Sequence, residues 1–122
     1  MTDAIRKSFV VMACGLALCA CAPQSRFEWG SYEPSLYAYY KNSSERVAYE
    51  TALVKAIDLG KKSNKVAPGL CAELGYMRLE DGDAAGAQAN FNEEMRLFPE
   101  SRFFLGNIAR RTAPGAAKGP TS

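Results

Sequence analysis

The sequence predicts an all-α fold built from short helical hairpins packed on one another. Apolar residues recur at intervals of three and four, for example at Tyr49, Leu53 and Ile57, which is the spacing of a helix with one buried face. The triplet Asp81-Gly82-Asp83 joins a glycine suited to a helix end with an aspartate suited to cap the next helix. With 122 residues, the chain has room for one small helical domain.

The same rules place five helices along the chain. The pattern predicts them over about residues 34–41, 44–62, 68–80, 84–98 and 100–111. Pro34 and Pro68 are expected at first helical positions, where the missing N–H of proline costs nothing. Asn42 and Glu45 have the spacing of a capping box at the start of the second helix.

The first 21 residues resemble a bacterial lipoprotein signal. Arg6 and Lys7 precede an apolar run over residues 9–20, which ends at Leu18-Cys19-Ala20-Cys21, a sequence similar to a lipobox. The run is shorter than the roughly 20 apolar residues of a membrane-spanning helix, and its charges lie only on the N-terminal side, as in a signal peptide. We expect cleavage before Cys21 and lipid on that cysteine. An ordinary secretory signal is the alternative.

This signal defines the predicted organisation and location of the protein. Ala22 follows Cys21, and by resemblance to sorting in enteric bacteria this favours a lipid anchor in the outer membrane, facing the periplasm. The segments are a signal peptide over 1–20, a tether over 21–31, a helical domain over 32–111 and a tail over 112–122. The tail lacks apolar bulk, so we expect it to be disordered.

The composition excludes several kinds of chemistry. The chain has no histidine, which removes the commonest general base and metal ligand and rules out serine–histidine and cysteine–histidine catalysis. After cleavage Cys71 would be the one thiol without lipid, so a cysteine zinc site is excluded. The formal net charge would fall from +2 to +1, which gives no indication of a nucleic-acid partner. We expect no enzymatic activity, no cofactor and no small-molecule substrate.

Cys71 is expected to be buried and inert. It shares the inward face of the third predicted helix with Leu70, Leu74 and Met77. A reactive or partner-linking thiol is the alternative, because an unpaired cysteine in an exported protein can do either.

The acidic residues are expected to have structural positions. The group Glu80, Asp81 and Asp83 could hold calcium, but it lacks the remaining ligands of a calcium loop, so a solvated turn with a helix cap is favoured. Glu73 is expected to be exposed or salt-bridged, with an acid–base role as the alternative. The pair Glu93-Glu94 is expected on a polar helix face.

The helical hairpin over about residues 68–101 resembles one tetratricopeptide repeat. The residues that match the motif in spacing are Leu74, Gly75, Ala87, Phe91 and Pro99. Gly75 and Ala87 would let the two helices approach closely, with Phe91 between them. A single repeat cannot bury its own face, so we expect the aromatic N-terminal helix and the helix with Phe103-Phe104 to cover it.

Three longer stretches resemble a known group of bacterial proteins. They are Tyr32-Glu33-Pro34-Ser35-Leu36-Tyr37, residues 67–76 and Phe98-Pro99-Glu100-Ser101. Over roughly residues 29–104 the chain is similar to the small lipoproteins of domain-of-unknown-function family 4810. Members of that family are encoded beside a lipoprotein similar to the curli-secretion channel and beside another envelope lipoprotein. The resemblance implies a shared cell-envelope assembly, and it assigns no functional residues.

The aromatic stretch after the tether is the best candidate for a partner surface. Tyrosine and tryptophan bring large contact area with few rotatable bonds, and the expected docking residues are Trp29, Tyr32, Tyr37 and Tyr40. Packing of these rings on the edge of the helical core is the alternative.

The sequence therefore favours an outer-membrane lipoprotein that acts as a non-enzymatic adapter or assembly factor. By resemblance, its partner would be a curli-secretion-channel-like lipoprotein. The alternative is a pilotin-like factor that escorts a secretion-channel subunit.

Overall fold

The computed structural model describes residues 24–115, and these residues form an all-α fold, as predicted. The α-helices are α1 (Tyr32–Lys41), α2 (Arg46–Ser63), α3 (Leu70–Glu80), α4 (Ala84–Leu97) and α5 (Arg102–Thr112). Single 3-10 turns precede α2 (Ser43–Glu45) and α5 (Pro99–Ser101). None of these helices is both long and apolar enough to cross a bilayer. The predicted signal over 1–20, the lipidation of Cys21 and the tail from residue 116 onward lie outside the described residues.

Four of the five helix starts differ from the prediction by two residues, and α2 and α5 begin only after their 3-10 turns. Helix α1 begins at Tyr32, so Pro34 is its third residue, where the N–H is still not needed for a helical bond. Helix α3 begins at Leu70 and not at Pro68, because Gly69 between them adopts a left-handed conformation with φ of 92°. At the C-terminal end α5 includes Thr112, which the sequence had placed in the tail.

The predicted cap at Asp83 is present, whereas the capping box predicted for α2 at Asn42 and Glu45 is not formed. The side chain of Asn42 accepts a hydrogen bond from the Ser44 N–H at 3.1 Å, although it caps the 3-10 turn before α2 and not α2 itself. Gly82 has a φ of 80°, and the Asp83 side chain accepts from the Gly86 N–H at 2.8 Å. These bonds fix the sharp reversal between α3 and α4.

Consecutive helices pack against each other and enclose two clusters of buried side chains. The first core lies between α2 and α3 and is made of Tyr49, Leu53, Ala56, Ile57, Val66, Ala67, Leu70, Cys71, Leu74 and Met77. The second core lies between α4 and α5 and is made of Ala87, Phe91, Leu105 and Ala109. The α3–α4 hairpin, the most extensively packed pair of helices, connects them.

The α3–α4 hairpin has the expected close approach. A β-carbon built on Gly75 would lie 2.6 Å from Cε1 of Phe91, so only glycine fits there. Phe91 and Ala87 are completely buried, and Leu74 is nearly so. Pro99 is exposed and opens the turn after α4. The assignment of this hairpin to a tetratricopeptide repeat stays a prediction.

Helix α5 packs against α4, as expected of a capping helix, but Phe103 and Phe104 do not make the contact, since they are 91% and 64% exposed. The residues of α5 that face inward are Leu105 and Ala109, which are spaced one helical turn apart.

The tether predicted over 21–31 is shorter in the structure. The Glu28 N–H donates to the Lys65 carbonyl at 2.8 Å, which pairs this segment with the loop between α2 and α3. Phe27 and Trp29 pack against the first core. The rings of Phe27 and Trp29 add apolar surface to that core, so Phe27 is part of the folded domain and not of a tether.

Candidate functional site

An open groove of about 610 Å³ lies between α1 and the start of α3. The structure brings all the expected docking residues to it: Trp29, Tyr32, Tyr37 and Tyr40 line the groove. Tyr32, Leu36 and Tyr40 share one face of α1 because residues four apart lie one above the other on a helix. The opposite wall is the segment Pro68-Gly69-Leu70, which leads into α3.

The four rings divide into two pairs. Trp29 and Tyr32 are partly buried and pack against the first core, with their ring centroids 5.6 Å apart. Tyr37 and Tyr40 are 63% and 84% exposed. The sequence left core packing and partner contact open for this stretch. In the structure the first pair forms the base of the groove and the second pair its solvent-facing side.

Glu73 fixes the base of the groove. Its Oε2 accepts a hydrogen bond from the Tyr32 hydroxyl at 2.7 Å, and its Oε1 accepts one from the Tyr49 hydroxyl. Burial, followed by the bond to Glu73, raises the pKa of Tyr32 and of Tyr49 above the ordinary value for tyrosine, so both phenols keep the proton they donate. The expectation of an exposed or salt-bridged Glu73 is wrong, because Glu73 is half-buried and its partners are tyrosine hydroxyls.

Glu94 of α4 binds the Pro68-Gly69-Leu70 wall on the side away from the groove. It is only 2% exposed, and its carboxylate accepts hydrogen bonds from the Gly69 N–H at 2.7 Å and the Ala72 N–H at 3.4 Å. These amides belong to the first turn of α3, where N–H groups lack helical partners and a negative charge is favoured. The prediction of a polar surface position is wrong for Glu94, since the helix start satisfies its charge in the interior.

The neighbouring Glu93 forms ion pairs with cations on two helices, α2 and α4. Arg96 binds it through Nε at 2.8 Å, and the Nζ of Lys61 on α2 lies 3.5 Å from its Oε1. These two cations, Arg96 first, lower the pKa of Glu93 to about 2. The carboxylate is therefore ionised at neutral pH and links α2 to α4.

Two arginines form ion pairs with the acidic turn between α3 and α4. Arg46 lies 2.9 Å from Asp81 and 3.4 Å from Glu80, and Arg78 lies 3.4 Å from Asp83. Over residues 24–115, no three acidic or thiol side chains are arranged to hold a metal ion.

Cys71 is 1% exposed in the first core. Burial, with the nearby charge of Glu94 as the next cause, raises the pKa of its thiol to about 11. Because the thiolate is the reactive form, this position disfavours nucleophilic chemistry at neutral pH.

Comparison with known proteins identifies the family of the chain. Searches of curated proteins and of solved structures found no significant match. The family model described as "Domain of unknown function (DUF4810)" matches residues 27–108, which include all five helices except the last turn of α5. The chain therefore belongs to this DUF4810 family.

Proposed function

We propose that this protein is a non-enzymatic adapter or assembly factor of the bacterial cell envelope, which docks a second protein in the aromatic groove. The observation that carries the proposal is the pair Tyr37 and Tyr40, two large side chains exposed beside a groove of about 610 Å³. Exposed aromatic residues around a cleft are typical of protein interfaces.

The base of the groove is prepared for binding. Tyr32 is fixed both by its bond to Glu73 and by ring contacts with Trp29 and Tyr49. A side chain that is already ordered loses little conformational entropy when a partner binds. A rigid base with exposed rings beside it therefore favours docking over turnover.

The proposed lipid anchor would place the groove near a membrane. Five residues lie between Cys21 and Phe27, where the chain is packed on the first core, and the six steps from one residue to the next span at most roughly 22 Å. A lipid on Cys21 would hold the protein on the periplasmic face of the outer membrane. The partner that the family resemblance implies is a curli-secretion-channel-like lipoprotein.

The docking role is tested by affinity purification of the tagged full chain from detergent-solubilised envelopes. We expect Tyr37→Ser combined with Tyr40→Ser to abolish recovery of the partner that the unchanged chain retains. The matched control is Phe103→Ser with Phe104→Ser, which removes two rings that are also exposed but lie on α5. Equal recovery with both double variants, or no enriched envelope protein with the unchanged chain, contradicts the proposal.

The anchor is tested by intact-mass measurement of the protein isolated from its own cells. We expect a chain that begins at Cys21 and carries acyl groups, and Cys21→Ser should lack both the cleavage and the lipid. A lipid-free chain that still begins at Met1 would remove the anchor from the proposal.

A gene deletion separates the adapter from a pilotin-like factor. An escort is required for the location of its channel subunit, whereas an adapter acts on a partner already in place. We expect the partner to keep its membrane location in cells without this protein, and fractionation of envelopes measures it. Loss of that location would favour the pilotin-like alternative.

A further inference from the structure

The groove contains two carboxylates among its aromatic and apolar side chains. Glu33 and Glu73 both line it. Over residues 24–115 neither of them forms an ion pair with a lysine or an arginine, whereas each of five other carboxylates has such a cation within 3.5 Å. These five are Glu50, Glu80, Asp81, Asp83 and Glu93. Within the described residues, no direct ion pair therefore neutralises the two carboxylates of the groove.

One ring face beside these carboxylates already attracts a cation that belongs to the chain itself. The Nζ of Lys41 lies over the Tyr37 ring, 5.3 Å from its centroid. An ammonium or guanidinium group within about 6 Å of an aromatic face is attracted by the ring quadrupole. Carboxylates and tyrosine faces on the same groove favour the same sign of charge.

A cation alone would leave most of the groove uncovered. Leu36, Pro68 and Leu70 supply apolar surface to its walls, in addition to the aromatic rings. Covering that surface requires an occupant with apolar side chains around its charge. A segment of polypeptide meets this need, because it can present a row of apolar side chains along an open groove.

We infer that the groove binds a segment of a partner protein in which a lysine or arginine is flanked by apolar residues. The cation faces Glu33 and Glu73, and the apolar side chains cover the rings and the Pro68-Gly69-Leu70 wall. This inference rests on the proposed docking function and specifies the chemistry of the partner.

Site-specific photo-crosslinking in intact cells tests it. The full chain carries p-benzoylphenylalanine in place of Tyr37, and mass spectrometry of the purified adduct identifies the cross-linked peptide. We expect a peptide with a lysine or arginine among apolar residues. The same photo-reactive residue in place of Phe103, which is 91% exposed on α5, controls for random contact.

A charge reversal tests the role of the carboxylates. Glu33 is exposed, so Glu33→Lys should leave the fold intact, and we expect it to lower the adduct yield at least about fivefold because attraction becomes repulsion. Glu100→Lys makes the same charge change at an exposed position outside the groove and should keep the yield.

The outcomes separate the inference from the proposed function. An adduct at position 37 whose peptide lacks a cation, or a yield unchanged by Glu33→Lys, overturns the inference and leaves the docking function standing. An adduct at position 37 no more abundant than at position 103 overturns both.

Discussion

The two cores are packed in different ways. In the second core a helix with glycine at position 75 lies directly on the Phe91 ring, and the contact leaves no space. Beside the first core, aromatic rings pack on one another instead, such as Tyr39 on Tyr49 with centroids 5.2 Å apart. Helices joined through small residues approach until they touch, whereas the large rings of Tyr39 and Tyr49 lie between α1 and α2. The open groove accompanies the aromatic packing.

Truncation of Phe91 should break the second core most strongly. We expect Phe91→Ala to lower the free energy of unfolding by about 3–5 kcal/mol, because it removes a fully buried ring and leaves a cavity. Urea denaturation of the purified protein measures it. Phe103→Ala, at an exposed position, should change the value by less than about 0.5 kcal/mol. An equal loss for both variants would mean that Phe91 is not enclosed.

Removal of the Glu94 carboxylate should weaken the connection between the cores. We expect Glu94→Ala to cost about 2–3 kcal/mol, because the Gly69 and Ala72 amides lose a charged acceptor in the interior. Glu94→Gln keeps an oxygen acceptor and should cost less. Denaturation curves of the two variants give the comparison, and equal losses would show that the charge of the carboxylate does not matter there.

A single methyl group should test how closely the second core is packed. Gly75→Ala should destabilise the protein by about 1 kcal/mol net, because overpacking against Phe91 outweighs the better helix propensity of alanine. The matched change is Gly106→Ala in α5, where a β-carbon would meet nothing within 4 Å. It should stabilise by about 0.5–1 kcal/mol. Thermal unfolding gives both signs, and two stabilising changes would contradict the close contact.

The ion pair between Lys61 of α2 and Glu93 of α4 should have the smallest effect on stability. The pKa of Glu93 is lowered to about 2 from the ordinary glutamate value of 4.5, so the unfolded chain takes up its proton at higher pH than the folded protein does. The contribution of this group to stability is therefore complete above about pH 4.5 and is lost as the pH falls towards about 2.

Unfolding curves over this pH range check the effect. Glu93→Gln should have the shallower pH dependence, and Glu100→Gln, at an exposed position outside the pair, is the control. A Glu93→Gln curve parallel to the unchanged protein would contradict the shift.

The sequence predicted the helices best where local chemistry decides the structure. The turn at Gly82 and Asp83 was found because a left-handed glycine and a side-chain cap depend on neighbouring residues only. The start of α3 was misplaced because Pro68 signals a helix start, while the next residue, Gly69, has the opposite conformation. The exposure of Phe103 and Phe104 was not predicted, because apolar character alone does not specify which side of α5 faces inward.

The candidate site was predictable in its residue types and not in its hydrogen bonds. The density of aromatic residues indicated Tyr37 and Tyr40, whose exposure follows from too many rings on one short helix. The positions of Glu73 and Glu94 could not be found this way. Each accepts hydrogen bonds from groups more than twenty residues away in the sequence, and no local pattern records such a contact.

Gly69 contributes both to the groove wall and to the contact between α3 and α4. It lines the groove, and its N–H donates a hydrogen bond to the Glu94 carboxylate of α4. A ligand that binds better when Glu94 holds this wall in place strengthens that bond, and by reciprocity a tighter α3–α4 hairpin raises the affinity for that ligand. Slower hydrogen exchange at the Gly69 amide, which lies behind the groove wall, would then indicate that a ligand occupies the groove.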